Sequence, residues 1–492
     1  MTATPLPSSP PRVAQPTDDA AATPTAVQPS PDRVRRVIAL CLLLLLAAWL
    51  RFRDLDRQSL WFDEGVTAWI AAKPFGELIE AVKLWENTPP LHYLVVAAAF
   101  RLFGNTDFVA RLPSALAGVA AVWLAYRLGT RLFDWRVGIA AGLWMTVSPF
   151  QILFSQEVRA YALMQSLALG SCYCFIRLID GHGGKWTRIG YIASTSLLLW
   201  SQLYGVFVPL AQNLYYFGLL ARRRPLGVSV SWWIAMQLAV ALSFAPWLGP
   251  AYWWTRRVRD TFWIEPLTLH DVTRSFWSYV GSGPMLIAMA CLAAVALVRS
   301  RHRRGVTFCL LLAACPVVVP IVASMLTSPL YTPRYGMAAT AGLCLLAAEG
   351  IASLGRPVLQ VIVFIAITAL PVLRIDPPPE GTRDRSQWRQ AFAELEPRLQ
   401  RGDYVVLNTG GGILLFERYV KRRDVEVTGF TEAKLPVPDV RRPGSRVWLI
   451  LHTPRTPPRD ILASGGWRVA SHRSYLDVEV WQLEQEPTQP PP

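Results

Sequence analysis

The 492-residue chain is poor in charge. Asp, Glu, Lys and Arg make up 17% of it, against 52% hydrophobic residues, and the mean hydropathy is +0.28. That scarcity excludes a disordered or fibrous chain and argues against an ordinary soluble multidomain enzyme. Acids are scarcer than bases, 34 against 49, for a net charge of +15. The excess does not indicate nucleic acid as a partner, because no contiguous basic face with interleaved aromatics is found. There are only seven cysteines, all inside apolar segments. Their odd number and the lack of metal-ligand spacing suggest neither a disulfide framework nor a zinc site. They read as small buried hydrophobes. No internal repeat is found.

The apolar residues come in runs of 14 to 21 separated by short Arg-rich breaks. Crossing a bilayer core takes roughly 20 apolar residues, so the chain reads as a polytopic α-helical membrane protein. Residues 1–32 hold eight prolines with many Ala, Thr and Ser, a composition that predicts a disordered tail. Arg33, Arg35 and Arg36 precede the first run, Val37–Leu50, which places the tail in the cytoplasm. Further spans are expected near 108–128, 136–153, 160–178, 189–204, 206–221, 232–252, 284–299, 306–326, 336–354 and 357–374, about eleven in all. The breaks holding Arg127/Arg131/Arg136, Arg177/Lys185/Arg188, Arg222–Arg224 and Arg299/Arg301/Arg303/Arg304 are cytoplasmic by the same rule. Residues 51–107, with six bases and eight acids, fall outside. Leu91–Gly104 within them is apolar, but a crossing there would turn every basic loop outward. It is expected to lie along the outer surface as an interfacial helix started by Pro89-Pro90.

With that topology, residues 376–492 form a soluble extracytoplasmic α/β domain. Ser386–Arg401 reads as an amphipathic helix. Asp403–Asn408, Arg446–Thr453 and the stretch from Trp467 to Leu483 read as strands. Gly410-Gly411-Gly412 precedes a helix through Tyr419 and lacks the rest of a nucleotide fingerprint. Glu486–Pro492 is a frayed tail.

In so apolar a chain, ionisable residues at the outer helix ends carry the functional signal. Leu60-Trp61-Phe62-Asp63-Glu64-Gly65 sets two carboxylates among aromatics, although Asp63 also suits a helix N-cap. Ser155-Gln156-Glu157-Val158-Arg159-Ala160-Tyr161 crowds Glu157, Arg159 and Tyr161 into one short turn, although such an Arg also suits snorkelling to lipid headgroups. Tyr331-Thr332-Pro333-Arg334-Tyr335 frames an Arg with tyrosines, which also suits an aromatic-belt anchor. Together the clusters hold what a phosphorylated lipid substrate requires. Arg binds phosphate bidentately, and a carboxylate can deprotonate an acceptor hydroxyl. Around residues 254–283 lie Trp253, Trp254, Trp263 and Trp277 with Arg256, Arg257, Arg259, Glu265 and Asp271, a sugar-binding face or an interfacial belt.

These motifs resemble a known family. The Asp63-Glu64 pair, Pro89-Pro90-Leu91, Arg111-Leu112-Pro113-Ser114-Ala115, the Glu157-x-Arg159-x-Tyr161 turn and Pro333-Arg334-Tyr335 look, in content and order, like those of the GT-C membrane glycosyltransferases. The likeness covers roughly residues 35–375. It is nearest to the dolichyl-phosphate-mannose protein mannosyltransferase superfamily, whose bacterial members include the aminoarabinose transferase acting on lipid A. The resemblance implies a GT-C transmembrane catalytic domain over residues 33–375 of a cell (inner) membrane protein. It implies a polyprenyl-phosphate sugar donor, an acceptor glycan, lipid or protein of the cell envelope, and an active site at the outer face. It implies Asp63 as catalytic base, with Glu64 beside it. Arg159, Tyr161, Arg334 and Tyr335 are implied to bind the donor phosphate, with Glu157, His92 and Arg111 in support. The chain also departs from the pattern. The aminoarabinose transferase carries Glu-Lys directly before its Pro-Pro, where this chain has Asn87-Thr88. A lysine contact to phosphate is therefore missing, and His92 either replaces it as a polar contact or is an ordinary interfacial residue.

The expected reaction is a single inverting displacement, with the arginines stabilising the departing lipid phosphate. No cofactor is required. A divalent cation is an option, with Asp63, Glu64 and Glu157 as oxygen ligands, although the sequence holds no compact metal motif. A transporter or lipid-linked-sugar flippase is the alternative. Such proteins place ionisable residues near the bilayer midplane, whereas here they sit at helix ends.

Overall fold

A computed structural model describes residues 31–257, 268–281, 283–326, 331–372, 386–429, 446–452 and 467–485. The tail up to residue 30, Arg259, Trp263, Glu265, the side chain of Asp271 and the closing Glu486–Pro492 lie outside the described residues.

Helix α1 (Pro31–Phe52) is followed by three short helices, α2 (Phe62–Ala71), α3 (Phe75–Trp85) and α4 (Leu91–Phe103). The main bundle then contains α5 (Asp107–Leu132), α6 (Trp135–Val147), α7 (Pro149–Ser155), α8 (Tyr161–Ile179), α9 (Lys185–Ser201), α10 (Phe207–Ala221), α11 (Val230–Phe244), α12 (Leu248–Arg257), α13 (Leu269–Val280), α14 (Gly283–Arg299), α15 (Arg303–Leu326), α16 (Met337–Ala352) and α17 (Pro357–Val372). All eleven apolar stretches are helical. Among the described residues, five helices are long and apolar enough to cross a membrane, or six if α6 and α7 form one bent span. The stretch expected as a single span over 136–153 is broken there by 66°. Ser148 caps α7 by accepting from the Gln151 N–H at 3.4 Å, and Pro149 occupies its first turn. A proline starts a helix well but cannot continue the preceding ladder.

The outer faces expose Leu42, Leu45, Ile234, Leu238, Leu242, Val361, Ile362 and Ile365, a surface suited to lipid rather than water. Cys172, Cys309, Cys315 and Cys344 are buried as expected, but Cys41 and Cys291 are exposed. The basic loops meet at one end of the bundle. Arg131 pairs with Asp180 at 2.8 Å, the Gly227 N–H donates to the Ile179 carbonyl at 2.9 Å, and the Tyr215 hydroxyl donates to the Arg304 carbonyl at 3.2 Å. The loops carrying Asp63, Arg159 and Arg334 meet at the other, the full length of α8 away.

The C-terminal part contains α18 (Trp388–Leu395), β1 (Tyr404–Leu407), α19 (Gly410–Tyr419), β2 (Glu426–Gly429), β3 (Val447–His452), β4 (Trp467–Tyr475) and β5 (Val478–Gln485). Its sheet has the order β2-β1-β3-β5-β4. The first three strands are parallel, and β5 and β4 add antiparallel. The stretch from Trp467 to Leu483, expected to be strand, is a hairpin turning at Leu476-Asp477, with Asp477 at φ 56°. The three glycines form the first turn of α19 rather than a loop ahead of it. Thr409 caps that turn by accepting from the Gly412 N–H at 3.2 Å.

This part is packed against α2 to α4. Leu60, Ala68, Leu78 and Tyr93 share one core with Trp388, Phe392, Leu415 and Phe416. The Ser59 hydroxyl donates to the Ser386 carbonyl at 2.6 Å. Asp107 accepts from Arg418 at 2.8 Å and from the Tyr419 hydroxyl at 2.7 Å, and Arg418 also reaches the Asn105 side-chain oxygen at 2.9 Å. Residues 59 and 105–107, at the two ends of the acidic stretch, therefore touch the same unit.

Candidate active site

The site is assembled from three connections. Helix α2 begins after an extended Trp61, so Trp61 is the N-cap and Asp63 lies in the first turn. There its side chain projects from the helix instead of capping it. Arg159 comes from the link between α7 and α8. Arg334 comes from a single 3₁₀ turn, Pro333–Gly336, leading into α16. Asp63 Oδ2 lies 3.9 Å from Arg159 and 3.8 Å from Arg334. Residues far apart in the chain thus bring one carboxylate and two guanidiniums together. Both separations are too long for direct hydrogen bonds.

Asp63 and Glu64 separate completely. The Asp63 side chain is 24% exposed and Glu64 is fully buried. Glu64 accepts from Arg111 Nε at 3.0 Å and from a terminal Arg111 nitrogen at 2.8 Å. It also accepts from the Val158 N–H at 2.9 Å and the Trp61 N–H at 3.3 Å. Arg111 in turn donates to the carbonyls of Leu55, Gln58 and Ser59. Glu64 and Arg111 therefore lie beneath the site and fasten its loops, and do not face its opening. Ser114, one turn after Arg111, donates to the Arg159 carbonyl at 3.3 Å, so the Arg-Leu-Pro-Ser-Ala motif secures both Glu64 and the arginine turn.

Glu86, which the sequence does not mark out, is a further participant. It lies 3.4 Å from Arg159, at the end of α3 and directly before Asn87-Thr88-Pro89-Pro90. Its place beside that motif was the available signal. Burial raises its carboxyl above the usual range, Asp63 adds to the rise, and Arg159 opposes it. Burial alone would weaken the charge on Arg159, but Glu86, Tyr161 and Asp63 outweigh it and hold the guanidinium firmly protonated. Arg159 also donates to Thr67 Oγ1 at 3.4 Å, one turn along from Asp63.

The aromatic residues form the wall. Tyr335 stacks at a tilt on Tyr204, 4.5 Å between ring centres, and approaches Tyr161 at 6.2 Å. The buried Tyr161 hydroxyl has no hydrogen-bond partner among the described residues. His92 is buried too, and burial together with the nearby Arg159 pushes its pKa down to about 3. It is neutral at ordinary pH and cannot supply the charge of a missing lysine. Glu157 is buried. Asp63, Glu64 and Glu157 do not converge as a ligand set, since Arg111 occupies Glu64. Among the described residues no three His, Cys, Asp or Glu side chains group to hold a metal ion. Of the tryptophans near 254–283, Trp254 donates to the Lys83 carbonyl at 2.7 Å and joins α12 to α3.

Residues 87–250 match the family model described as dolichyl-phosphate-mannose-protein mannosyltransferase. No curated protein matches the chain significantly in sequence. In structure it is similar to ArnT from Cupriavidus metallidurans in the apo state, with a TM-score of 0.61 and 14% identity over 91% of this chain and 98% of that one. The same protein bound to undecaprenyl phosphate gives 0.57 and 13%, over 91% and 97%. The archaeal oligosaccharyltransferase AglB from Archaeoglobus fulgidus, in complex with an inhibitory peptide and a dolichol-phosphate, gives 0.55 and 10%, over 80% and 64%. The chain has the fold of the GT-C membrane glycosyltransferases, the group its motifs resemble.

Proposed function

We propose that the protein is an inverting glycosyltransferase that moves a sugar from a polyprenyl-phosphate donor to an acceptor hydroxyl at the outer face of the cell membrane, in the synthesis of an envelope glycan, glycolipid or glycoprotein. The observation that carries this reading is Asp63 facing Arg159 and Arg334 at 3.9 and 3.8 Å. Because both ion pairs are long, a donor phosphate oxygen can take up the guanidiniums at the shorter distances of charge-assisted hydrogen bonds, about 2.7–2.9 Å. Asp63 then accepts the proton of the acceptor hydroxyl as that oxygen attacks the anomeric carbon. The bond from the anomeric carbon to the phosphate oxygen breaks, and the lipid phosphate leaves with the electron pair. Arg159 and Arg334 stabilise its growing charge in a partly dehydrated pocket. Tyr161, with its unpartnered hydroxyl, and Tyr335 add donors. Arginine supplies the positive charge, so the reaction needs no divalent cation. The ArnT complex with undecaprenyl phosphate supports a donor of this class. The outer-face assignment rests on the basic loops clustered at the opposite end.

Replacing Asp63 with Asn tests the reading. Loss of a general base typically lowers the rate on the order of 10²–10⁴. Proteoliposomes containing the variant, supplied with labelled polyprenyl-phosphate sugars and an envelope extract as acceptor, should show that loss. Near-normal transfer by folded Asp63→Asn protein would overturn the assignment.

A further inference from the structure

One face of α19 lies along the segment that carries Asp63. Gly411, Leu415 and Tyr419 are spaced four residues apart and form one stripe. The Tyr419 hydroxyl accepts from the Leu60 N–H at 2.8 Å. Gly411 receives the ring of Phe62, and a Cβ at that position would overlap the ring. Leu415 seats on Gly65, where an added Cβ would lie 2.7 Å from its Cδ2. Each helix therefore offers a glycine to the other's large side chain, and Asp63 lies between the two contact points. Gly410, next in sequence, has open space where its Cβ would be. The glycine run thus contains two positions without room for a Cβ, Gly411 against Phe62 and Gly412 against Leu407, and one, Gly410, that has it. The far end of the stripe is fixed as well, because Tyr419 also donates to Asp107 at 2.7 Å.

We infer that α19 of the C-terminal unit positions the carboxylate of Asp63 for proton removal, with Gly411 as the positioning residue. This rests on Asp63 acting as the base. A side chain at Gly411 pushes the Phe62 ring and with it the first turn of α2, while Arg334 belongs to another segment and Arg159 is also held from outside α2 by Ser114 and Glu86. Catalytic geometry is sensitive at this scale, since a shift of about 1 Å can cost about 100-fold in rate.

The experiment compares Gly411→Ala, Gly410→Ala, Tyr419→Phe and Asp63→Asn in proteoliposomes, with a synthetic labelled polyprenyl-phosphate sugar as donor and envelope extract as acceptor. Gly411→Ala should lower kcat at least tenfold with an unchanged donor KM. Gly410→Ala should match the wild type. Tyr419→Phe keeps the ring and loses only the hydroxyl, so it should fold, and it should lower kcat several-fold, again at constant donor KM. Because a partly unfolded sample would also lower apparent kcat at constant KM, kcat is expressed per folded protein, with the thermal midpoint of each variant measured alongside. If Asp63→Asn is inactive while Gly411→Ala and Tyr419→Phe keep full kcat, positioning by α19 is wrong and the base assignment stands. If Asp63→Asn stays active, the base assignment itself fails.

Discussion

Asp63 and Glu64 are adjacent acids, and neutralising them one at a time should separate activity from stability. Glu64→Gln keeps the shape of the side chain but removes its charge and turns one oxygen into an NH₂ group facing the Arg111 guanidinium. Arg111 itself is only 3% exposed. Breaking one half of a buried ion pair costs about 3–5 kcal/mol. The amide retains one acceptor, and Arg111 keeps its three carbonyl contacts, so the lower end, about 3 kcal/mol, is expected. At roughly 2–4 °C per kcal/mol for a large domain, the thermal midpoint in detergent should fall by about 6–12 °C. Asp63 is partly exposed and its ion pairs are long, so Asp63→Asn should change stability by less than about 1 kcal/mol. Tryptophan-fluorescence melting of both proteins in the same detergent, beside a transfer assay, reads the two effects. A Glu64→Gln protein that melts like the wild type would refute the claim that this buried carboxylate fastens residues 55–61 to the arginine turn.

Arg159→Ala and Arg334→Ala should each weaken donor binding about 10–100-fold, the worth of a hydrogen bond to a charged group; titration with a labelled polyprenyl-phosphate sugar checks this, and unchanged affinity in both would remove the phosphate site. Glu86 should leave a pH signature. Burial raises its folded pKa above the usual carboxylate range, so the folded state holds the proton more tightly than the unfolded chain. The stability this contributes is present in full below about 4.5 and is lost as pH rises through the folded value. Glu86→Gln should remove that downward slope from a plot of thermal midpoint against pH. Transfer should persist in excess EDTA, and a loss restored by added Mg²⁺ or Mn²⁺ would show that the arginines are not the sole electrophiles.

The helical stretches were readable because lipid imposes long apolar runs. Ser59, Asn105 and Asp107 all contact the C-terminal unit, an arrangement that follows if Leu91–Phe103 does not cross, as the loop charges predict. Arg159 and Arg334 were readable because an arginine at an outer helix end is uncommon. The break at Pro149 was hidden inside an apolar run, since hydropathy records composition and not the loss of a helix hydrogen bond. Strand β2 was missed because Glu426–Gly429 is short and has no buried face. The division between Asp63 and Glu64 was not legible either. Both are acids in one helical turn, and the difference depends on Arg111, 47 residues away in sequence. Glu86 escaped for a related reason. An acid at the end of an amphipathic helix ordinarily faces solvent, and its partner Arg159 is 73 residues away in sequence.

Glu86 also bears on the missing lysine. In formal charge the pocket holds Asp63 and Glu86 against Arg159 and Arg334, and sums to zero. A donor phosphodiester adds a negative charge, and the leaving phosphate carries still more. With His92 neutral and no lysine before the Pro-Pro element, no further cation among the residues described at the site offsets it. Protonation of Glu86 would. Its carboxyl is already raised by burial, and an arriving phosphate acts in the same direction as Asp63 does. A proton taken up there would release Arg159 from its acidic partner at 3.4 Å. In the proposed reaction, an acid next to the Pro-Pro element can therefore achieve by losing its charge what a lysine achieves by bringing one.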